Sequence, residues 1–102
     1  MDRIEKLKEY LKSNHEDSFL QHALALEYIK IGNDAEARDL FTEILKREPT
    51  YIGSYYHLAK LLERIGDEEQ AIKIYERGME ETKKAGDNHS YNELRAAYEE
   101  LV

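Results

Sequence analysis

The stretch LALEYIKIGNDAEA at residues 24–37 returns as LAKLLERIGDEEQA at residues 58–71. Leu24-Ala25, Ile31-Gly32 and Ala37 recur unchanged as Leu58-Ala59, Ile65-Gly66 and Ala71, a spacing of 34 residues. Beyond those identities the correspondence is chemical: Lys30 with Arg64, Asn33 with Asp67, Leu40 with Ile74, Phe41 with Tyr75 and Leu45 with Met79. A period of that length is one helix-turn-helix unit, whose apolar face is buried only against a neighbouring unit. Such a chain is built to hold another molecule, not to catalyse a reaction.

Within the first copy, residues 18–31 carry Leu20, Leu24, Tyr28 and Ile31 on one helical face, and Ala23 and Ala25 leave room for a second helix to come close. Asp17 or Ser18 is the expected N-cap, with Gln21 in the capping-box place after Ser18. Gly32 ends that helix, Asn33-Asp34 caps the next, and Ala37, Leu40, Phe41, Ile44 and Leu45 run on to about Lys46 before Pro49 forbids continuation. The second copy predicts Thr50 as N-cap, a helix from Ile52 to Ile65, a stop at Gly66, and Asp67 with Gln70 as a capping box. Lys83 stands where the first copy has Pro49, so the partner helix is free to continue to Gly86.

Upstream, residues 2–13 place Ile4, Leu7, Tyr10 and Leu11 on one stripe, and downstream Asp87 or Asn88 caps a helix whose stripe is Tyr91, Leu94, Tyr98 and Leu101. The chain is rich in Ala, Leu, Glu and Lys, with five glycines and one proline, which favours helix throughout. At 102 residues it is expected to be a single domain.

The formal charge of −7 is uneven: ten acidic residues face eight basic ones over 1–47, and twelve face seven over 48–102. Nucleic acid and anionic membrane surfaces are therefore not expected as partners. With no cysteine there is neither a disulfide framework nor a thiolate metal site. The stretch from Met1 to Lys6 lacks the apolar run of a signal peptide, and no segment has the length of a membrane span. A cytoplasmic location is expected.

Taken together, these residues resemble a tetratricopeptide repeat, whose unit is marked by Trp, Leu-Gly, Tyr, and later Ala, Phe and Pro at fixed offsets. Leu24-Ala25, Tyr28, Ala37, Phe41 and Pro49 stand in those places in the first unit, with Gln21 in the Trp place. Tyr55, Leu58-Ala59, Ala71 and Tyr75 do so in the second, with Leu62 for Tyr and Lys83 for Pro. The resemblance implies an all-α, right-handed α-α superhelix of antiparallel helix pairs: a half-repeat at 2–17, repeats at 18–51 and 52–85, and a capping helix at 86–102. It also implies a small protein-interaction module that is not an enzyme, and the stand-alone length suggests a bacterial source.

Other chemistry finds little support. The histidines at 15, 22, 57 and 89 form no i, i+4 pair of the kind a helical zinc site uses, so no metal and no cofactor are expected. Gly53-Ser54 lacks the second glycine of a nucleophile elbow. Asp67-Glu68-Glu69 and Glu80-Glu81 lack the alternation and central glycine of a calcium loop, and the former simply complements a helix dipole. Of eight tyrosines, Tyr28, Tyr55, Tyr75, Tyr91 and Tyr98 fall on core faces, which leaves Tyr51 and Tyr56 for the surface.

In the repeat family that the chain resembles, the first helix of each unit lines a concave groove reached from five places. In this sequence those places hold Phe19, His22, Leu26, Ile29 and Lys30, and then Gly53, Tyr56, Lys60, Glu63 and Arg64. Phe19, Leu26 and Ile29 are apolar yet lie off the stripe that the repeat needs, and exposed apolar patches mark partner sites. A peptide or helix of a protein partner is expected there, with Phe19, Leu26, Ile29 and Tyr56 as anchors and Lys30, Lys60 and Arg64 meeting acidic groups. The alternative is that the same patch serves as a homodimer interface. Members that clamp the carboxylate tails of heat-shock chaperones use Lys and Asn where this chain has His22 and Leu26, so that ligand is disfavoured.

Overall fold

The computed structural model describes residues 2–102; residue 1, counted in the single domain expected from the sequence, lies outside the described residues. Six helices and no strand occur among the described residues: α1 Arg3–Ser13, α2 Ser18–Lys30, α3 Asp34–Arg47, α4 Gly53–Arg64, α5 Glu68–Ala85 and α6 Asn88–Glu99. They fall into two compact units, one ending at Glu48 and the other spanning Pro49–Val102.

In the first unit α2 packs against both α1 and α3. Ala25 and Ala37 are wholly buried, and those two small side chains let Leu24, Tyr28, Phe41, Ile44 and Leu45 fill the space between α2 and α3, with Leu7 of α1 buried as well. The caps follow the sequence. Asp2, Asp17 and Asn33 accept from the backbone N–H of Glu5, Leu20 and Glu36 respectively, three residues on in each case.

Ser18, the second capping choice, is instead the first helical residue and is buried, and Gln21 does not complete a capping box. Gln21 joins a polar network: its Nε2 donates to the carbonyl of His15 at 2.9 Å and to Glu43 at 3.3 Å, while Arg47 donates to Gln21 Oε1 at 2.8 Å and to Ser18 Oγ at 2.7 Å. Ser18 donates onward to Glu48 at 3.2 Å. A buried amide in the place of an indole is tolerated because every one of its polar atoms has a partner.

In the second unit α5 packs against α4 and α6. Its core holds Tyr55, Leu58, Ala59, Leu61, Leu62, Ala71, Ile74, Tyr75, Leu94 and Ala97. The Tyr55 hydroxyl donates to the Pro49 carbonyl at 2.6 Å, which ties the ring in the Trp place to the start of the unit. With lysine in place of proline at 83, α5 runs 18 residues before Gly86 ends it in the left-handed conformation, φ 72°, that suits a residue without a Cβ. Asp67 and Asp87 cap α5 and α6 through the N–H of Gln70 and Ser90.

Four expectations are corrected. Thr50 does not cap α4: the flanking residue is Ile52, in helical conformation, with no side-chain cap. Bonds from Ser54 N–H to Tyr51 O and from Tyr55 N–H to Ile52 O satisfy the entering backbone instead. Tyr10 is 57% exposed, because α1 packs chiefly on α2 and the residue it buries is Leu7. Ile31 is 64% exposed, because the chain leaves the helix there and turns at Gly32. In α6 the buried residues are Leu94 and Ala97, with Tyr91 and Tyr98 half-buried and Leu101 beyond the last helical turn.

Candidate functional site

On α2, the five places implied by the repeat resemblance form a graded surface. Phe19, in the first turn, is 71% exposed. His22 is half-buried, its ring edge-on to that of Phe41 with centroids 5.5 Å apart, and Leu26 and Ile29 are half-buried. Lys30 is exposed, and its ammonium lies 3.0 Å from Glu27, which Arg3 also reaches at 3.2 Å. The hydrogen bond from Lys30, with Arg3 beside it, holds the Glu27 carboxyl below the usual carboxylate range. Lys30 is thus a tethered cation at the end of an apolar strip.

On α4, the side chains one turn apart engage one another. Lys60 Nζ lies over the Tyr56 ring, 5.9 Å from its centroid, and 3.7 Å from Glu63 Oε2. Glu63 also accepts a short hydrogen bond from the Tyr75 hydroxyl of α5. Burial, and then this acidic neighbour, push the Tyr75 hydroxyl far above the ordinary tyrosine range. Glu63 therefore anchors α4 to α5 and fixes Lys60, while Arg64 is exposed at the end of the helix.

Gly53 and Tyr56 help line a cavity of about 300 Å³ between α4 and α6, together with Ile52, His57, Ser90, Glu93 and Leu94. The His57 ring stands edge-on to Tyr56 with centroids 5.9 Å apart. Burial lowers the imidazole pKa, against the opposing pull of Glu93. Glu93 is at the rim, its side chain 55% exposed and 3.8 Å from His89. Sequence reading missed the α6 contribution, because that helix was assigned only a capping role; a cavity lined by residues of two helices leaves no periodic signal in either.

Among the described residues, no group of three or more His, Asp or Glu side chains is placed to hold a metal ion. Nor is any helix among them long and apolar enough to cross a membrane.

A family model for the tetratricopeptide repeat matches residues 28–98. The chain is similar to a tetratricopeptide repeat domain protein from Salinibacter ruber, at 38% identity over 83% of this chain. The crystal structure of that protein, of which 94% is covered, gives a TM-score of 0.79, and its solution structure, of which 86% is covered, gives 0.80. A solution structure of a protein from Bordetella parapertussis shares the fold at 24% identity, with a TM-score of 0.85 over 99% of this chain and 88% of that one. With its 34-residue period, its alanine and aromatic contacts and its paired helices, the chain belongs to the tetratricopeptide repeat family, whose members generally serve as non-enzymatic protein-interaction or scaffold modules.

Proposed function

We propose that the chain binds a peptide or helix of a protein partner through the α2 face of the first unit and the α4 face of the second. On α2, Phe19, Leu26 and Ile29 supply apolar contact beside His22, and Lys30 meets acidic groups; on α4, Tyr56 supplies apolar contact, and Lys60 and Arg64 meet acidic groups beside Glu63. The observation that carries the reading is Phe19: a large ring left 71% exposed on a helix that buries its other aromatic, Tyr28. Rings of this kind become energetic anchors when a partner removes them from water. The segments 2–17, 18–51, 52–85 and 86–102 are proposed as half-repeat, two repeats and cap, and the setting as a cytoplasm, with a bacterial source supported by the bacterial origin of the similar proteins.

The test is capture of a partner with the purified chain, followed by Leu26→Ser combined with Lys60→Glu in a variant whose fold is checked by circular dichroism. Binding weakens by about tenfold or more, on the order of 1.4 kcal/mol. A folded double variant that binds the captured partner as tightly as the parent would overturn the reading. Light scattering over a dilution series separates partner binding from a homodimer through the same patch: mass that falls with dilution, and no longer does so in the double variant, favours the homodimer.

A further inference from the structure

We propose that the cavity between α4 and α6 is a socket for one arginine side chain presented by the protein partner. This rests on the reading of α4 as a binding face and names the chemistry of one contact on it. Three observations point to arginine.

The first is size. About 300 Å³ is the lower end of the range for ligand pockets, room for one extended side chain rather than a larger ligand. The second is charge. The lining holds one carboxylate, Glu93, and no lysine or arginine, so an incoming cation meets a carboxylate and no cation among the lining residues. Lys60 is not part of the lining; its ammonium lies 5.9 Å from the Tyr56 ring centroid and 3.7 Å from Glu63. The neighbour of Glu93, His89, is 86% exposed and adds charge only when protonated.

The third observation is shape. Ile52 and Leu94 supply apolar wall for a methylene stem, and Tyr56 and His57 set two rings nearly perpendicular, at 85°, beside it. A planar guanidinium lies flat on a ring and still presents its fork to a carboxylate at the rim, which a lysine ammonium does not do. Burial keeps the His57 imidazole from taking up a proton as readily as a free one, so it does not oppose the guest. Gly53, at the first position of α4, lines the cavity without a side chain.

The test uses the full chain and three blocked amino acids as probes: Nα-acetyl-arginine methylamide, its citrulline counterpart of the same shape without charge, and the lysine counterpart. Ring resonances of Tyr56 and His57 and the Leu94 methyls are followed by NMR. The arginine probe shifts them saturably; citrulline and lysine bind about tenfold more weakly; and Glu93→Gln weakens the arginine probe by about tenfold. Equal affinity for citrulline or lysine, an unchanged response in Glu93→Gln, or no saturable shift at these residues would each overturn the socket. The probes do not touch α2. If they fail while the Leu26 and Lys60 double variant still releases a captured partner, the socket alone is lost; if the double variant fails while the probes behave as described, the wider face is lost and the socket stands.

Discussion

A Cβ placed on Gly78 would stand 2.8 Å from the Cβ of Tyr55 and 2.9 Å from Leu94 Cδ1. Three helices of the second unit meet at that point, and α5 approaches α4 closely enough that only a hydrogen fits. In an open helix, Gly→Ala stabilises by about 0.8–1.0 kcal/mol. Here the nearest neighbour is the Cβ of a fully buried tyrosine, fixed by the α4 backbone, so the helices must separate even if Leu94 shifts. Gly78→Ala is expected to destabilise the chain by about 1–3 kcal/mol, as overpacked cores do. A urea midpoint at or above that of the parent would show that the contact yields.

Phe19 and Phe41 provide an internal contrast. Phe41 is wholly buried and Phe19 mostly exposed. Phe41→Ala should cost about 3–5 kcal/mol, whereas Phe19→Ala should stay within about 0.5 kcal/mol. Equal losses in denaturant unfolding would mean that Phe19 is covered in solution, and the apolar face of α2 would then be no free surface.

The hydroxyl of Tyr75 titrates above the ordinary value of about 10 in the folded chain. A raised folded-state pKa means that the unfolded chain gives up this proton first. The associated stability is therefore complete below pH 10 or so and is lost as pH rises further toward the folded value. Tyr75→Phe should cost about 0.5–1.5 kcal/mol at neutral pH, for the hydrogen bond to Glu63, and should flatten the alkaline fall in stability. Melting curves of both proteins between neutral pH and about 11 check the pair of effects.

His57 runs the other way. Burial lowers its pKa, so the unfolded chain takes up the proton first and stability falls as pH drops through the ordinary histidine range near 6.5. His57→Gln should lessen the fall in melting temperature between about pH 7 and 5.5. An acid profile identical to the parent's would place the titrating group elsewhere.

Much of the fold was legible because the signals are local. Asp17, Asn33, Asp67 and Asp87 each cap the helix that follows, and replacement of Pro49 by Lys83 foretold the longer α5. Thr50 misled because the N–H groups of Ser54 and Tyr55 bond to the carbonyls of Tyr51 and Ile52 instead of to a capping side chain. Tyr10 misled because a stripe on a helix states what could be buried, not how much neighbour there is to bury it. Of the candidate site, the exposure of Phe19 followed from its place off the stripe. The partnership of Glu63 with Tyr75 did not, since it joins α4 to α5 across twelve positions with no shared period. Nor did the cavity, which depends on α6.

The Gln21 network has a consequence for anyone who would shuffle these units. Arg47 sits 29 residues after Ser18 and 26 after Gln21, yet it donates to both, so the first and last turns of the α2–α3 hairpin are stitched by a charge at one end and an amide at the other. Transplanting α2 alone would bring Gln21 and Ser18 without the guanidinium that donates to them; transplanting α3 alone into a scaffold that carries the common tryptophan in place of Gln21 would bring Arg47 without its amide acceptor. Gln21 and Arg47 travel as a pair, and a chimaera that divides them should lose about 1.5–3 kcal/mol of stability even where every apolar contact has been kept.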